Sequence, residues 1–242
     1  MQNGIVPGKH SESDEQRLFY ALTEQMKLPF LQIARASELA TRTGDATRLR
    51  IIEELADNAL QLLDSYLLST RLTAAGDALV LEPVSLAATL DDIAHKMEKL
   101  ARANRCDLEL HIAGKYGPIM AHPAGLQAAL LNLGKVFIDV QTERNHGKRP
   151  VITLAAHRTS KGIVAGMFSD IEGLNIDMFK RARSMYGTAR QPLAQLTAQN
   201  GAGVFVADSL LISMSSGLRV ARHNKLTGLA ATFAPSQQLS LV

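Results

Sequence analysis

Gly201 and Gly203 stand at the start of an apolar helical run over 202–215. The first N–H groups of a helix have no partner within it, so such a start can cradle a phosphate. Two glycines there serve equally well as a turn or cap. Asn132 and Lys135 lie one turn apart on a second predicted helix, about 123–141. Asn132 reads either as a ligand-binding group or as a structural hydrogen-bonder. Asp170 closes an apolar strand pattern, with Gly173 just beyond it. Cys106 is the only cysteine, which excludes an internal disulfide and a multi-thiolate metal site. It reads as a small buried residue at a strand start. The densest basic cluster, Arg144, Lys148 and Arg149 with His146 and His157 nearby, reads as a solvated loop. The net charge is only +3 and no nucleic-acid-binding module is recognisable, so nucleic acid is not expected as a partner. No metal site is read.

These residues need elements to hold them. Apolar or small residues at Phe19, Leu22, Met26, Pro29, Ile33, Ala36 and Ala40 alternate in steps of three and four, a heptad seam on a helix of about 14–43. Gly44 suits a C′ position and Asp45 an N-cap. A second seam, Leu49, Ile52, Ala56, Ala59, Leu63, Tyr66 and Thr70, runs along a helix of about 46–74. Two such helices joined by a tight turn form an antiparallel hairpin. Further apolar residues flank the seams: Leu18, Leu31, Leu39, Leu55, Leu60, Leu62 and Leu67. One hairpin has too little surface to bury them all, so pairing of residues 14–74 from two copies into a four-helix bundle is expected. Pro29 removes a hydrogen bond inside the first helix, at a cost of about 3 kcal/mol in a generic helix.

Beyond Gly76 the pattern becomes mixed. Strands are expected at 79–86, 106–114, 151–158, 162–170, 217–222 and 227–234. Helices are expected at about 86–104, 123–141, 176–186 and 202–215, with Ser85 capping the first. The fold class is α+β: a dimerising helical hairpin followed by a two-layer α/β sandwich. The domain reading is a polar tail over 1–13, a hairpin over 14–76 and a sandwich over 77–242. No apolar run approaches the ~20 residues that span a bilayer, and the N-terminus lacks a signal peptide's apolar core. A cytoplasmic protein is expected.

The order of elements resembles the catalytic core of sensor histidine kinases, over roughly residues 16–235. Glu24-Gln25-Met26-Lys27-Leu28-Pro29-Phe30 resembles the phosphoacceptor run of that family, with Pro29 on its proline and Lys27 on its basic position. Glu24 stands where the family has its phosphoacceptor histidine, and Gln25 where it has an acidic partner. Gly125-Leu126 through Asn132-Leu133 resembles the nucleotide-binding helix. With Asn132 as the first of its two asparagines, Val136 falls on the Mg²⁺ ligand and Asp139 on the lysine. A register slipped by one turn instead puts Asn132 on the metal and Lys135 on the basic position. Ser169-Asp170-Ile171-Glu172-Gly173-Leu174 resembles the adenine-binding Asp-x-Gly-x-Gly box, with Glu172 and Leu174 replacing its glycines. Asn200-Gly201-Ala202-Gly203-Val204 resembles the second glycine box. The family's lid would fall on 187–200, with Arg190 as its one charge.

The resemblance implies a scaffold whose chemistry is eroded. Valine cannot ligate hard Mg²⁺, and no histidine lies on either hairpin helix. Glu24 is then either a solvated carboxylate or a fixed charge imitating the phosphorylated state. The first reading is a pseudokinase scaffold that docks a response-regulator receiver domain through Glu24, Lys27, Phe30 and Leu31. The second is an ATP-binding enzyme of the same type using ATP and Mg²⁺ at Asn132, Lys135, Asp170, Gly173, Gly201 and Gly203. The third is a phosphotransferase-like relay, which the missing hairpin histidine opposes.

Overall fold

Gly44 and Asp45 turn the chain back on itself. Gly44 adopts φ +67° and its N–H donates to the Ala40 carbonyl, closing helix α1 (Gly8–Thr43). The Asp45 carboxylate accepts from the Thr47 N–H at 3.0 Å and opens helix α2 (Ala46–Ala75). The hydrogen bonds from Thr47 hold that carboxyl below its ordinary range. The structure, a computed structural model, describes residues 8–143, 149–171, 173–187 and 201–236. Helix α1 starts at Gly8, so part of the expected tail is helical, His10 included, which corrects the expectation that neither hairpin helix carries a histidine, and it continues through Pro29.

A turn at Gly76–Ala78 leads into strand β1 (Glu82–Val84), helix α3 (Leu86–Ala103), β2 (Asp107–Ala113), β3 (Ile119–Ala121) and helix α4 (Pro123–Glu143). Then follow β4 (Val151–Thr159), β5 (Gly162–Ser169), helix α5 (Ile176–Met185), helix α6 (Gly201–Ser213), β6 (Arg219–His223) and β7 (Leu226–Phe233). The main sheet has the order β2-β4-β5-β7-β6, parallel only between β2 and β4. The expected strand at 79–86 shortens to β1, and the short segment around Ile119 becomes its partner β3; the two form a separate antiparallel ribbon.

Helix α3 presents Leu86, Leu90, Ile93, Met97 and Ala101 to the sheet, at spacings of three and four. Helix α6 is apolar on all sides, with Val204, Phe205, Val206, Leu210 and Leu211 all buried. A helix of that character must be enclosed. Here α4 covers one side of it and the hairpin the other. Each large aliphatic side chain so buried stabilises by about 1.5–3 kcal/mol before entropy is counted.

The hairpin therefore has two partners within its own chain. The seam positions Ile33, Ala36, Ile52, Ala56, Leu63 and Tyr66 are half-buried between α1 and α2. The buried apolar hairpin residues include expected seam positions, Leu22 and Met26 on α1 and Ala59 on α2, and neighbours of the seams, Leu18 on α1 and Leu62 and Leu72 on α2. They sit at the base of the hairpin, which packs on α6 and α4. The expectation that flanking leucines need a second copy is thus corrected for Leu18 and Leu62, which are covered in cis. Phe19, expected in the seam, is exposed beside Tyr66, ring centroids 6.1 Å apart. Among the described residues no helix is long and apolar enough to cross a membrane.

Candidate functional site

Helix α4 presents two different faces. Val136 is buried against the start of α6, where a β-carbon added to Gly203 would stand 2.9 Å from its Cγ2. The glycine lets the two helices approach, and the nearest atom it meets is that methyl group, with the Asn132 backbone carbonyl oxygen at 3.9 Å. Asn132 lies one turn earlier and is buried, but its amide nitrogen donates to the Ala128 carbonyl of its own helix at 2.8 Å.

The N-terminus of α6 is already occupied. The Ala202 N–H donates to Gln25 Oε1 of α1 at 2.8 Å. A neutral amide oxygen from the hairpin thus satisfies one of the free donors that would otherwise attract an anion. Gly201, Ala202 and Gly203 are all buried beneath it.

Lys135 and Asp139 point to another side. They flank a cleft of about 300 Å³ between α4 and the hairpin, which Gln25, Met26, Pro29, Gln32, Asn58 and Asn104 also line. Burial pulls the Lys135 ammonium down to about 8, against the opposing pull of Asp139. Burial likewise pushes the Asp139 carboxyl up to about 6, against Lys135. A cleft holding two ionisable groups displaced towards neutrality is what binding and catalytic sites tend to look like. A second cavity, about 460 Å³, lies between the hairpin base and α6, lined in part by Ser69, Thr73, Tyr186 and Asp208.

The remaining predicted residues scatter. Asp170 is exposed at the end of β5, and its carbonyl accepts from Gln141 Nε2 at 2.9 Å. Gly173 adopts φ +77° in open space, a left-handed turn that suits glycine. Leu174, at the second glycine of the expected box, is buried in the core. Glu24 is exposed and pairs with Lys27, whose ammonium that hydrogen bond raises above its ordinary value. Phe30 and Leu31 are exposed further along α1. Glu172, Asn200, Arg190, Arg144, His146 and Lys148 lie outside the described residues, as does most of the expected lid. Cys106 is buried just before β2, with burial pushing its thiol up.

The structure therefore brings Gln25, Val136 and Gly203 together and places Lys135 with Asp139 in an adjoining cleft. It does not join Asp170 or Gly173 to either. Sequence reading noted Gln25 only as a departure from a motif, since nothing local in a sequence names a partner 177 positions away. It also passed over Arg183 and Asp208. Asp208 is buried within apolar α6 and accepts from Arg183 Nε at 2.7 Å and Nη2 at 2.8 Å and from the Leu218 N–H at 2.8 Å. Burial raises its carboxyl, and Arg183 opposes this. A lone aspartate inside an apolar run was the available signal, because a buried charge needs partners.

No protein-family model matches the chain, and no curated protein matches it. Solved structures do. The histidine kinase AdeS of Acinetobacter baumannii superposes with a TM-score of 0.57 at 9% identity, over 87% of this chain and 96% of that one. The histidine kinase ThkA, solved in complex with the response regulator protein TrrA, gives 0.58 at 9% identity, over 97% of this chain and 68% of that one. Full-length ShkA, in complex with AMPPNP, gives 0.55 at 17% identity over 89% of this chain, which spans only 46% of ShkA. At these identities the likeness speaks for the fold: the chain has the helical hairpin and α/β sandwich of a histidine-kinase catalytic core.

Proposed function

We propose that this chain is a degenerate histidine-kinase-like signalling protein, a scaffold that dimerises through its hairpin and binds a response-regulator receiver domain without phosphorylating itself. One observation carries the reading: where a phosphate cradle would be needed, Gln25 caps the Ala202 N–H and Val136 lines Gly203. Phosphoryl transfer rests on positioning and on neutralising charge around the phosphate. An amide cap and a methyl group supply neither.

Partner binding is supported by what the hairpin leaves uncovered. Leu28, Phe30, Leu31 and Leu39 on α1, and Leu49, Ile51, Leu60 and Leu67 on α2, are all exposed. So many large apolar side chains left exposed on one hairpin support an interaction surface there. The part around Glu24, Lys27, Phe30 and Leu31 is the receiver surface in this reading, and ThkA has been solved with a response regulator bound. The outer rows along both helices are the dimer surface.

The competing reading, an ATP-binding enzyme, would use Asn132 and Lys135 with Asp170, Gly173, Gly201 and Gly203. The Asn132 side chain would first have to leave the Ala128 carbonyl.

The test combines a thermal shift with an interaction assay. Millimolar Mg-ATP should leave the melting temperature unchanged, and labelled ATP should leave no label on the chain. A ligand at 100 times its dissociation constant stabilises by about 2.7 kcal/mol, so real binding would be visible. The purified chain should run as a dimer by light scattering and retain a receiver domain from the same genome. Labelling by ATP, or a monomer that retains no receiver, would overturn the proposal.

A further inference from the structure

On the face of the sheet away from the helices, three histidines from three strands converge. His111 is on β2, His157 on β4 and His223 on β6. The floor beneath them is small, with Ala155, Val164, Ala221 and Ala230 around a single Phe168. His223 lies over Phe168 at 5.3 Å between ring centroids and beside His157 at 5.9 Å. His111 Nδ1 and His223 Nε2 are 3.3 Å apart.

That separation allows a long hydrogen bond between the two rings, beyond the ~2.7–3.2 Å usual for N–H···O. It suits two nitrogens on one tetrahedral ion. With each nitrogen ~2.0–2.1 Å from Zn²⁺, tetrahedral geometry sets them about 3.3–3.4 Å apart. The far nitrogen of His111 faces the Glu109 carboxylate at 3.7 Å. A carboxylate there favours the proton on Nε2 and leaves the Nδ1 lone pair turned towards His223, the outer-shell arrangement common among histidine ligands. His157 Nδ1 is buried with no hydrogen-bond partner, close behind His223. Among the described residues no set of three or more His, Cys, Asp or Glu side chains is arranged to hold a metal ion as it stands. A two-nitrogen chelate completed by water is what the geometry allows.

We propose that His111 and His223 chelate a divalent transition-metal ion of the Zn²⁺, Ni²⁺ or Cu²⁺ class, tying β2 to β6 across the outer face of the sheet. Imidazole ligands select such ions over Mg²⁺ and Ca²⁺.

Titrating the full chain with zinc chloride should raise its melting temperature and saturate near one equivalent, while magnesium chloride should not. His111→Gln and His223→Gln should each abolish the rise, and His95→Gln, at an exposed position of α3, should keep it. A second measurement needs no variant: Cu²⁺ bound at one equivalent should show at least two imidazole nitrogens by electron paramagnetic resonance. No zinc-induced rise, an undiminished rise in the His111→Gln/His223→Gln double variant, or fewer than two bound nitrogens would overturn the proposal. None of these readouts depends on nucleotide, dimerisation or a receiver domain, so the scaffold reading stands or falls separately.

Discussion

The two ends of the hairpin carry similar apolar content and meet opposite fates. At the base, Leu22 is 2% exposed and Leu62 6%, both packed where the hairpin meets the sandwich of the same chain. Towards the tip, Leu31 is 57% exposed and Leu49 60%. Heptad spacing is common to both, so periodicity alone cannot say which apolar row is satisfied in cis and which awaits another molecule. The difference is made by α6, whose all-apolar surface needs the hairpin base as a lid. The base is a folding interface, and the large side chains of the tip and outer rows are left exposed.

That contrast sets the first and strongest expectation. Leu22→Ala should cost about 2–5 kcal/mol, the usual range for emptying a buried leucine site. Leu31→Ala should fall within about 0.5 kcal/mol for the isolated chain. Urea denaturation at several protein concentrations separates the two. The Leu22→Ala loss should be independent of concentration, whereas any effect at Leu31 should grow with concentration if the outer surface pairs. Equal losses at both sites would erase the distinction.

Next in size is the contact between α4 and α6. Val136 is β-branched and stiff, so it yields poorly to a β-carbon at 2.9 Å. Gly203→Ala should cost about 1–3 kcal/mol. In a Val136→Ala background the same change should be neutral or stabilising by up to ~1 kcal/mol, since alanine is the better helix former. A double-mutant cycle by urea denaturation reads the coupling. Additive costs would mean that the two helices do not meet as closely as described.

The cleft beside that contact should show in the pH dependence. Asp139 titrates at about 6 when folded and near 3.8 when unfolded, so the folded state holds the extra proton between those values. Stability should therefore fall as pH rises from about 4 to 6. Lys135, lowered to about 8 from 10.5, is the mirror case: the unfolded state holds the extra proton, and stability should climb from about pH 8 to 10.5. The Asp139→Asn variant should lose the acid limb, worth about 3 kcal/mol for a displacement from 3.8 to about 6. Urea midpoints across pH settle it, and an unchanged acid limb in the variant would remove Asp139 as its source.

Much of this architecture was legible because it is local. Gly44 and Asp45 mark the hairpin turn by their own backbone and side-chain chemistry, Ser85 caps α3 with its hydroxyl, and α6 announces its burial by having no polar face. What stayed hidden was long-range. That Leu18 and Leu62 are covered by the sandwich rather than by a second hairpin depends on how two domains dock. The slot between Asn132 and Val136 in the helix register likewise turned on geometry: only the fold shows that the Val136 side chain lies against Gly203, while the Asn132 side chain bonds back to its own helix.

Gln25 offers the finest probe, because it joins the two ends of the argument by one hydrogen bond. Gln25→Ala leaves the Ala202 N–H without its partner and should cost about 1 kcal/mol. Gln25→Glu keeps an acceptor and adds a negative charge at the start of α6, which the helix dipole favours by about 0.3–1 kcal/mol. The carboxylate should thus match or exceed the native amide in urea denaturation, and its advantage should shrink with added salt. The neighbouring Glu24→Gln, exposed and paired only with Lys27, should move stability by no more than about 0.5 kcal/mol. A reversal of that order would mean that the first residue of the expected phosphoacceptor run, and not the second, faces the sandwich. The hairpin would then have to be rotated about its axis, carrying a different row of leucines to the surface.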